Sequence, residues 1–142
     1  MATFELPTKI QLIIVTPERS LVNATVDEVT LPGDEGYLGV LPGHTPLLTS
    51  LRIGEIKYRT GSITKYLFVS WGFVEILPDR VTVLADVAEA PEDIDLARAA
   101  EDRDQAETRL KHLDADFQAA QIALEQALGR MQVAAKAAPL PR

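Results

Sequence analysis

The residues best suited to acid–base chemistry stand together just after Pro91. Glu92, Asp93 and Asp95 follow it within four positions, and a pair of carboxylates is what a glycosidase-type reaction needs. Nothing else along the sequence supports such a reaction. Acidic residues at the start of a helix also complement the positive end of the helix dipole. We therefore interpret this cluster as helix capping, and an enzyme that uses it is kept as an alternative.

The two histidines lack partners at the spacing of a catalytic motif. His44 follows a Pro-Gly turn, and no Ser, Cys or Asp is placed to complete a nucleophile–base pair, so we interpret it as a structural or interface residue. His112 lies near the end of a predicted helix, where a partly protonated ring suits the negative dipole end. Cysteine is absent, which excludes disulfides and cysteine-based zinc sites. We predict neither a catalytic centre nor a metal site.

Residues 31–48 are crowded with turn-forming residues. This segment holds Gly33, Gly36, Gly39, Gly43, Pro32, Pro42 and Pro46. Glycine permits positive φ angles and proline fixes φ, so this density is typical of ordered loops and short strands. The segment has neither the GxxxxGK[ST] nor the GxGxxG spacing, which argues against a phosphate-binding loop. It is predicted to present a shaped surface, so contact is favoured over chemistry.

Composition narrows the class of protein further. The chain has 142 residues and a net charge of −7, which argues against nucleic-acid binding because phosphate contacts need clustered Lys and Arg. Residues 1–86 hold 7 basic and 10 acidic groups, whereas residues 87–138 hold 6 and 11, so the shorter part is the more acidic. No apolar run is long enough to cross a bilayer and no signal peptide is evident. We expect a soluble protein that stays where it is made.

The first part of the chain has the pattern of short strands. Residues 53–60, 63–70, 72–77 and 80–86 are rich in Val, Ile, Tyr, Phe and Thr, and turn residues separate them at 60–62, 70–72 and 77–79. Strands this short at this spacing predict an antiparallel β-sandwich or flattened barrel over residues 1–87. Phe68, Trp71 and Phe73 fall in these strands and are predicted to be core residues.

After Pro91 the period becomes helical. Two seven-residue seams predict helices at about 94–112 and 115–137, which form an antiparallel hairpin over residues 88–142. Asp114 or Asp116 is the predicted N-cap of the second helix. The seams are Leu96, Arg103, Leu110 with Ala99, Ala106, Leu113, and Phe117, Leu124, Met131 with Ala120, Ala127, Ala134. Five of these twelve positions are alanine, which buries little area, so the hairpin is predicted to be weakly packed and able to rearrange. Small residues that simply permit close helix approach are the alternative reading.

Four separated segments carry a resemblance to a known family. They are residues 36–48 (GYLGVLPGHTPLL), 72–73 (GF), 81–85 (VTVLA) and 94–99 (IDLARA). In this order, on a sandwich followed by a hairpin, they resemble the epsilon subunits of bacterial and chloroplast F-type ATP synthases over nearly the full length. The resemblance implies a non-catalytic subunit of the central stalk. It implies c-ring contacts at Asp34, Glu35, Gly36, Tyr37 and Leu38, and gamma contacts at Pro42, Gly43 and His44.

The same resemblance implies a regulatory role for the hairpin. In the family it lies folded on the sandwich, or extends into the alpha/beta hexamer and blocks ATP hydrolysis. Some bacterial members bind ATP on the folded hairpin, and the matching residues are Glu89, Ile94, Asp95, Arg98, Ala99 and Arg130. Gln105 and Gln126 stand where ATP-responsive members carry arginine, so regulatory ATP binding is expected to be weak or absent, and no other cofactor is expected. The second helix is only weakly basic, which predicts moderate inhibition.

The resemblance also implies a location, and a rival reading remains. The family places the protein on the cytoplasmic face of the bacterial inner membrane, or the stromal face of the thylakoid, attached through the complex alone. The rival is a stand-alone carbohydrate- or peptide-binding β-sandwich with a dimerising coiled coil. It predicts a stable homo-oligomer and a polar groove rich in aromatic residues.

Overall fold

Eight strands precede two helices in the part of the chain for which the structure is described. The computed structural model describes residues 5–112 and 116–137. The strands are β1 Ile10–Val15, β2 Ser20–Val26, β3 Glu28–Gly33, β4 Gly36–Val40, β5 Leu47–Leu51, β6 Gly54–Thr60, β7 Ile63–Leu77 and β8 Arg80–Glu89. A 3₁₀ turn at Pro91–Asp93 leads to α1 Leu96–Lys111 and α2 Phe117–Ala134. The predicted order of sandwich and helices is therefore confirmed.

The strands form one continuous hydrogen-bonded system that folds into two layers. Its order is β2-β1-β8-β7-β5-β3-β4, and β6 bridges β3 and β7. The pairs are antiparallel with the exception of β1 and β8, which run parallel. A parallel pair needs a long connection, and here the six strands between β1 and β8 supply it. The long strand β7 serves both layers, because its first half pairs with β6 and its second half with β5.

The core of the sandwich follows the two-residue period of its strands. Along β1, Ile10, Leu12 and Ile14 are all fully buried, while the residues between them are partly exposed. Successive side chains of a strand point to opposite faces, so this alternation places one face of β1 inward. The buried cluster draws on all eight strands and contains no residue of either helix. The sandwich therefore has its own hydrophobic core.

Residues 70–72 form a kink inside β7 and not the predicted turn. Trp71 has φ 59° and Gly72 has φ 142°, yet pairing with β8 continues on both sides. A Cβ on Gly72 would lie 2.0 Å from the Leu84 carbonyl oxygen, so only glycine permits this approach. The kink also exchanges the inward and outward faces, since Leu67 and Val69 point into the core before it and Val74 and Ile76 after it.

The exchange of faces explains where the aromatic residues that were predicted to be core residues lie in the structure. Phe73 points outward and is 60% exposed, so that prediction is wrong. Trp71 is half-buried, and the Arg52 guanidinium lies 5.8 Å from its ring centroid. Phe68 is fully buried as predicted, but it points away from the sandwich core and is covered by α2.

The helices are shorter than predicted and pack through alanine. The Asp95 carboxylate caps α1 by accepting a hydrogen bond from the Arg98 N–H at 3.1 Å. Asp116 precedes α2, but its side chain accepts no capping hydrogen bond, and Asp114 lies outside the described residues. The buried helix residues are Ala99, Ala106, Ala120, Ala127 and Val133. Leu96 and Phe117 are half exposed, so the alanine rows are the true seam.

Candidate functional site

The hairpin between β3 and β4 exposes two carboxylates at one end of the sandwich. Asp34 and Glu35 form its tip, and Gly36 follows with φ 122°, a conformation that favours glycine. The Asp34 N–H donates to Thr49 Oγ1 at 3.4 Å. A cleft of about 340 Å³ separates this tip from Leu47 and Leu48 of β5. The residues predicted to meet the c-ring therefore lie together on one acidic projection.

Tyr37 braces this tip against the body of the sandwich. Its side chain is 60% exposed, but its phenol oxygen accepts a hydrogen bond from the Glu55 N–H at 3.0 Å. A Cβ on Gly54 would lie 2.6 Å from that phenol oxygen, so glycine is required for the ring to reach β6. Leu38, the next residue, packs partly against the core. The tip is thus held in a fixed position relative to the strands.

The loop between β4 and β5 carries Pro42, Gly43 and His44. Gly43 has φ 86°, and its N–H donates to the Pro78 carbonyl at 2.7 Å, which ties the loop to the β7–β8 turn. His44 Nδ1 lies 2.6 Å from the Thr45 carbonyl oxygen, so the ring is engaged with the backbone. Of the side chains placed by the structure, none forms a nucleophile–base pair with it. The surroundings suit contact and not catalysis.

An exposed apolar ridge crosses the outer face of the sheet nearby. Phe73 stands directly opposite Leu84 of β8, and these side chains are 60% and 53% exposed. Leu48 of β5 is 72% exposed and lies diagonally across from Phe73, within reach on the same face. Sequence reasoning missed this ridge because it placed Phe73 inside. A parity exchange at Trp71–Gly72 is the signal that would have revealed it.

The residues predicted to bind nucleotide are spread over the junction of sandwich and hairpin. Glu89 ends β8 and pairs with Arg130 of α2, whose Nε lies 2.6 Å from Glu89 Oε1. Ile94 ends the 3₁₀ turn, Asp95 caps α1, and Ala99 is buried in the helix seam. Among the six residues predicted to bind nucleotide, Arg98 is exposed and lines the open cleft along α1, and its side chain neither caps a helix nor packs in the seam.

Two clefts beside these residues are poorly suited to phosphate. The cleft along α1, about 580 Å³, is lined by Asp95, Arg98, Glu101 and Asp102 among others, so carboxylates outnumber cations and repel an anion. The cleft between the helices holds Arg109 and Arg130 but measures only about 200 Å³. Ligand sites usually measure about 300–1,000 Å³. The structure does not bring the predicted nucleotide residues into one pocket.

A further cleft of about 430 Å³ lies where the sandwich meets the end of α2. Its charged lining mixes signs, since Arg19 faces Asp93 at 3.7 Å. Burial raises the pKa of the Tyr58 hydroxyl, and the charge of Glu92 raises it further. Lys136 lies over the Tyr66 ring at 4.8 Å. This mixture of charges favours no single class of ligand.

A metal-ligand cluster and a membrane-spanning helix are both absent from the part of the chain that the structure describes. Within residues 5–112 and 116–137, no three His, Asp or Glu side chains converge as metal ligands. No helix in those ranges combines the length and the apolar character that crossing a membrane requires.

The fold defines a β-sandwich protein with a helical hairpin docked on it. Two family models match the chain. The ATP synthase delta/epsilon chain β-sandwich domain matches residues 9–91, and the long α-helix domain of the same chain matches residues 92–135. The chain belongs to the ATP synthase delta/epsilon chain family. The sequence-based identification as an epsilon subunit, which is not the catalytic subunit, is confirmed.

Individual relatives agree with this assignment. The chain is 48% identical over 131 residues to "ATP synthase epsilon chain 2" of Syntrophotalea carbinolica, covering 90% of this chain and 95% of the relative. It is 45% identical over 133 residues to the ATP synthase epsilon chain of Geobacter sulfurreducens, covering 92% and 96%. A chain in the cryo-EM structure of the Euglena gracilis mitochondrial ATP synthase shares the fold with a TM-score of 0.83 at 23% identity, covering 94% of this chain and 86% of that one.

Proposed function

We propose that this chain is a subunit of the central stalk of a proton-driven ATP synthase, coupling c-ring rotation to gamma and regulating ATP hydrolysis through its hairpin. The observation that carries the coupling role is the braced β3–β4 tip, in which Tyr37 fixes two exposed carboxylates to the sandwich. A part that transmits torque must not yield, and a close-packed sandwich has low compressibility. Family membership supports the same conclusion.

The acidic tip is the proposed c-ring contact. Asp34, Glu35, Gly36, Tyr37 and Leu38 lie together on the β3–β4 hairpin, and four of these five residues are exposed. Exposed carboxylates on a fixed tip can engage polar or basic loops without first being ordered, which lowers the entropic cost of contact.

The β4–β5 loop and its apolar neighbours are the proposed gamma contact. The loop that holds Pro42, Gly43 and His44 is anchored to the β7–β8 turn through the Gly43 N–H, and Leu41 and Leu48 are 59% and 72% exposed. Exposed apolar side chains that cluster next to a fixed loop are typical of protein–protein contact surfaces.

The hairpin is the proposed regulatory part, acting on the alpha/beta hexamer when extended. We keep residues 1–87 and 88–142 as the proposed division of labour. Glu89, Ile94, Asp95, Arg98, Ala99 and Arg130 remain a proposed nucleotide site of low affinity. Its weakness is supported by the Glu89–Arg130 pair, which already engages two of these side chains. We place the chain at the cytoplasmic face of a bacterial membrane, held there through the complex, without nucleic acid.

Reversal of charge at the tip tests the coupling role. In an ATP synthase assembled with the remaining subunits of a relative such as Geobacter sulfurreducens, D34K/E35K should lower ATP-driven proton pumping at least about fivefold by electrostatic mismatch. The matched control is Glu18→Lys, an exposed carboxylate in the β1–β2 turn. Unchanged pumping in D34K/E35K vesicles would refute the c-ring contact. A stable homo-oligomer that fails to retain gamma would favour the stand-alone binding module instead.

A further inference from the structure

Helix α2 lies along the outer side of β7 with matched spacing. Gln126 Nε2 donates to Ser70 Oγ at 3.1 Å, and the Lys136 ammonium lies 4.8 Å from the Tyr66 ring centroid. From Gln126 to its last residue, Ala134, α2 rises about 12 Å, and the four strand residues from Ser70 to Tyr66 advance about 13 Å. Because these lengths agree, helix and strand can stay in contact over the whole interval while running in opposite directions.

Phe68 stands midway along this interval and meets a glycine. The ring is fully buried, although it points away from the sandwich core. A Cβ on Gly129 would lie 2.9 Å from Phe68 Cε1, closer than carbon atoms pack. Glycine inside a helix weakens it by about 1 kcal/mol relative to alanine. The helix therefore carries an unfavourable residue at the point where close approach to the sandwich requires one.

Arg130 completes the contact by bridging two partners on the sheet. Its Nε donates to Glu89 Oε1 at 2.6 Å, and its guanidinium lies 4.8 Å from the Phe68 ring centroid. Both charged side chains are only 28% exposed, so salt screens this pair less than a surface pair. Hydrogen bonds between ionised groups are about twice as strong as neutral ones.

On the sheet side of this contact, a buried polar side chain obtains its hydrogen bond from the hairpin. Ser70 is 1% exposed, and its hydroxyl accepts its hydrogen bond from Gln126, 56 residues further along the chain. Phe68 and Ser70 alternate with inward-facing core residues, so both lie on the side of β7 that faces α2 and not the sandwich core. This side of β7 is therefore suited to packing against a helix and not to exposure to solvent.

We propose that this docking row is a latch that holds the folded hairpin on the sandwich without a bound nucleotide. The row consists of Gln126, Gly129 and Arg130 on α2 and Lys136 just after its end, facing Tyr66, Phe68, Ser70 and Glu89 on the sheet. The inference rests on the proposed function, because holding the hairpin folded has a regulatory meaning only if the extended hairpin inhibits hydrolysis. Breaking the row is the step that frees both helices, since α2 lies between α1 and the strands.

Spin-label distances in the isolated full-length chain test the latch. The sequence has no cysteine, so cysteines at Ile63 on β7 and Glu107 on α1 give two unique label sites, both on exposed side chains. Wild type should show one short distance by double electron–electron resonance. Gln126→Ala and Arg130→Gln should each raise the ratio of undocked to docked hairpin by about fivefold.

Matched variants separate docking from general effects on the helices. Gln132→Ala and Arg109→Gln make the same chemical changes at exposed helix positions and should leave the distance unchanged. Gly129→Ala is the sharpest case, because it strengthens the helix yet should undock it through the contact with Phe68. A docked population in Gly129→Ala equal to that of wild type would overturn the latch.

Two further measurements complete the test: the distance in the presence of ATP, and the ATPase rate of the assembled synthase. Millimolar ATP should not alter the wild-type distance distribution, and if ATP is required for the short distance the latch does not act alone and the proposal fails. ATPase rates of the assembled synthase report separately on the proposed function. Variants that undock the isolated hairpin without changing those rates would support the latch and refute the regulatory role. Unchanged distances would refute the latch whatever the rates.

Discussion

Gly72 shows how one residue sets the shape of the sandwich. Its φ is 142°, and a Cβ added to it would lie so close to the Leu84 carbonyl oxygen, at 2.0 Å, that there is room for hydrogen alone. The adjacent Trp71 also has a positive φ, which is unusual for a bulky side chain and persists only where the surroundings enforce it. Together they exchange the inward and outward faces of β7.

Gly72→Ala should destabilise the protein by about 3 kcal/mol or more, since backbone strain and overpacking add. Gly39→Ala is the control, because a Cβ there meets nothing within 4 Å and its φ is not positive. The free energy of unfolding from urea titration, followed by circular dichroism, measures both. Equal stabilities for the two variants would contradict the role given to Gly72.

The sequence identifies this glycine but not its role. A Gly after Ser and Trp between two apolar runs is typical of a turn, and local chemistry does not distinguish a turn from a kink inside one strand. The deciding interaction is the approach of β8, which comes from residues well along the chain. The pattern therefore predicts Phe73 as a core residue, whereas it is part of the exposed ridge.

The elements are held at their ends by a small polar network around Asp27. This residue joins β2 to β3, and its carboxylate accepts from the Lys9 side chain and from the Gly61 N–H at 2.7 Å. Arg59 of β6 lies 3.4 Å away. The hydrogen bond from Lys9, followed by that from Gly61, lowers the pKa of Asp27 below its ordinary value of 3.8. The network ties the β2–β3 turn to the β6–β7 turn.

Asp27→Asn should lower stability at pH 7, and the deficit should vanish in acid. A carboxyl whose folded-state pKa is depressed stabilises the fold above its unfolded value, and that stabilisation is lost as pH falls through the lower, folded-state pKa. Urea midpoints of variant and wild type should therefore differ at pH 7 and converge at pH values below 3.8. Asp79→Asn, in the exposed β7–β8 turn, is the control. A deficit that grows on acidification would contradict the argument.

The period of the sequence predicts the helices but not their packing faces. A seven-residue repeat supplies two parallel rows in each helix, and larger side chains are the ones expected to face inward. Ala99, Ala106, Ala120 and Ala127 are buried, while Leu96 and Phe117 are half exposed. Two helices that meet at alanine approach closely, and the pattern alone does not say which row does so.

The described part of the molecule consists of a sandwich with its own core and a hairpin laid against it. The buried cluster contains residues of all eight strands and none of the helices. The helices add the cover over Phe68 and the pairing of Arg130 with Glu89. This dependence could not be predicted from sequence, because Gln126 and Ser70 lie 56 positions apart and no pattern in the sequence pairs them.

A chain that ends at residue 93 should fold on its own but with reduced stability. Loss of the cover over Phe68 should cost about 2 kcal/mol, the value of burying one large apolar side chain. Phe68→Ala provides the comparison, since it should cost about 3 kcal/mol in the full chain and much less in the shortened one. Urea denaturation of the four proteins measures both effects. Equal costs in the two backgrounds would show that Phe68 belongs to the sandwich core.

The continuity of β7 has a mechanical consequence. One unbroken strand carries the apolar ridge at Phe73 on one side of its bend and the helix cradle at Phe68 and Ser70 on the other. Hydrogen bonds along both edges make this strand stiff and fix the angle of its kink. A twist of one half of β7 therefore displaces the other half. A partner that binds the apolar ridge and strains it therefore also strains the surface of β7 on which α2 packs. Changes to one of these two surfaces affect the other.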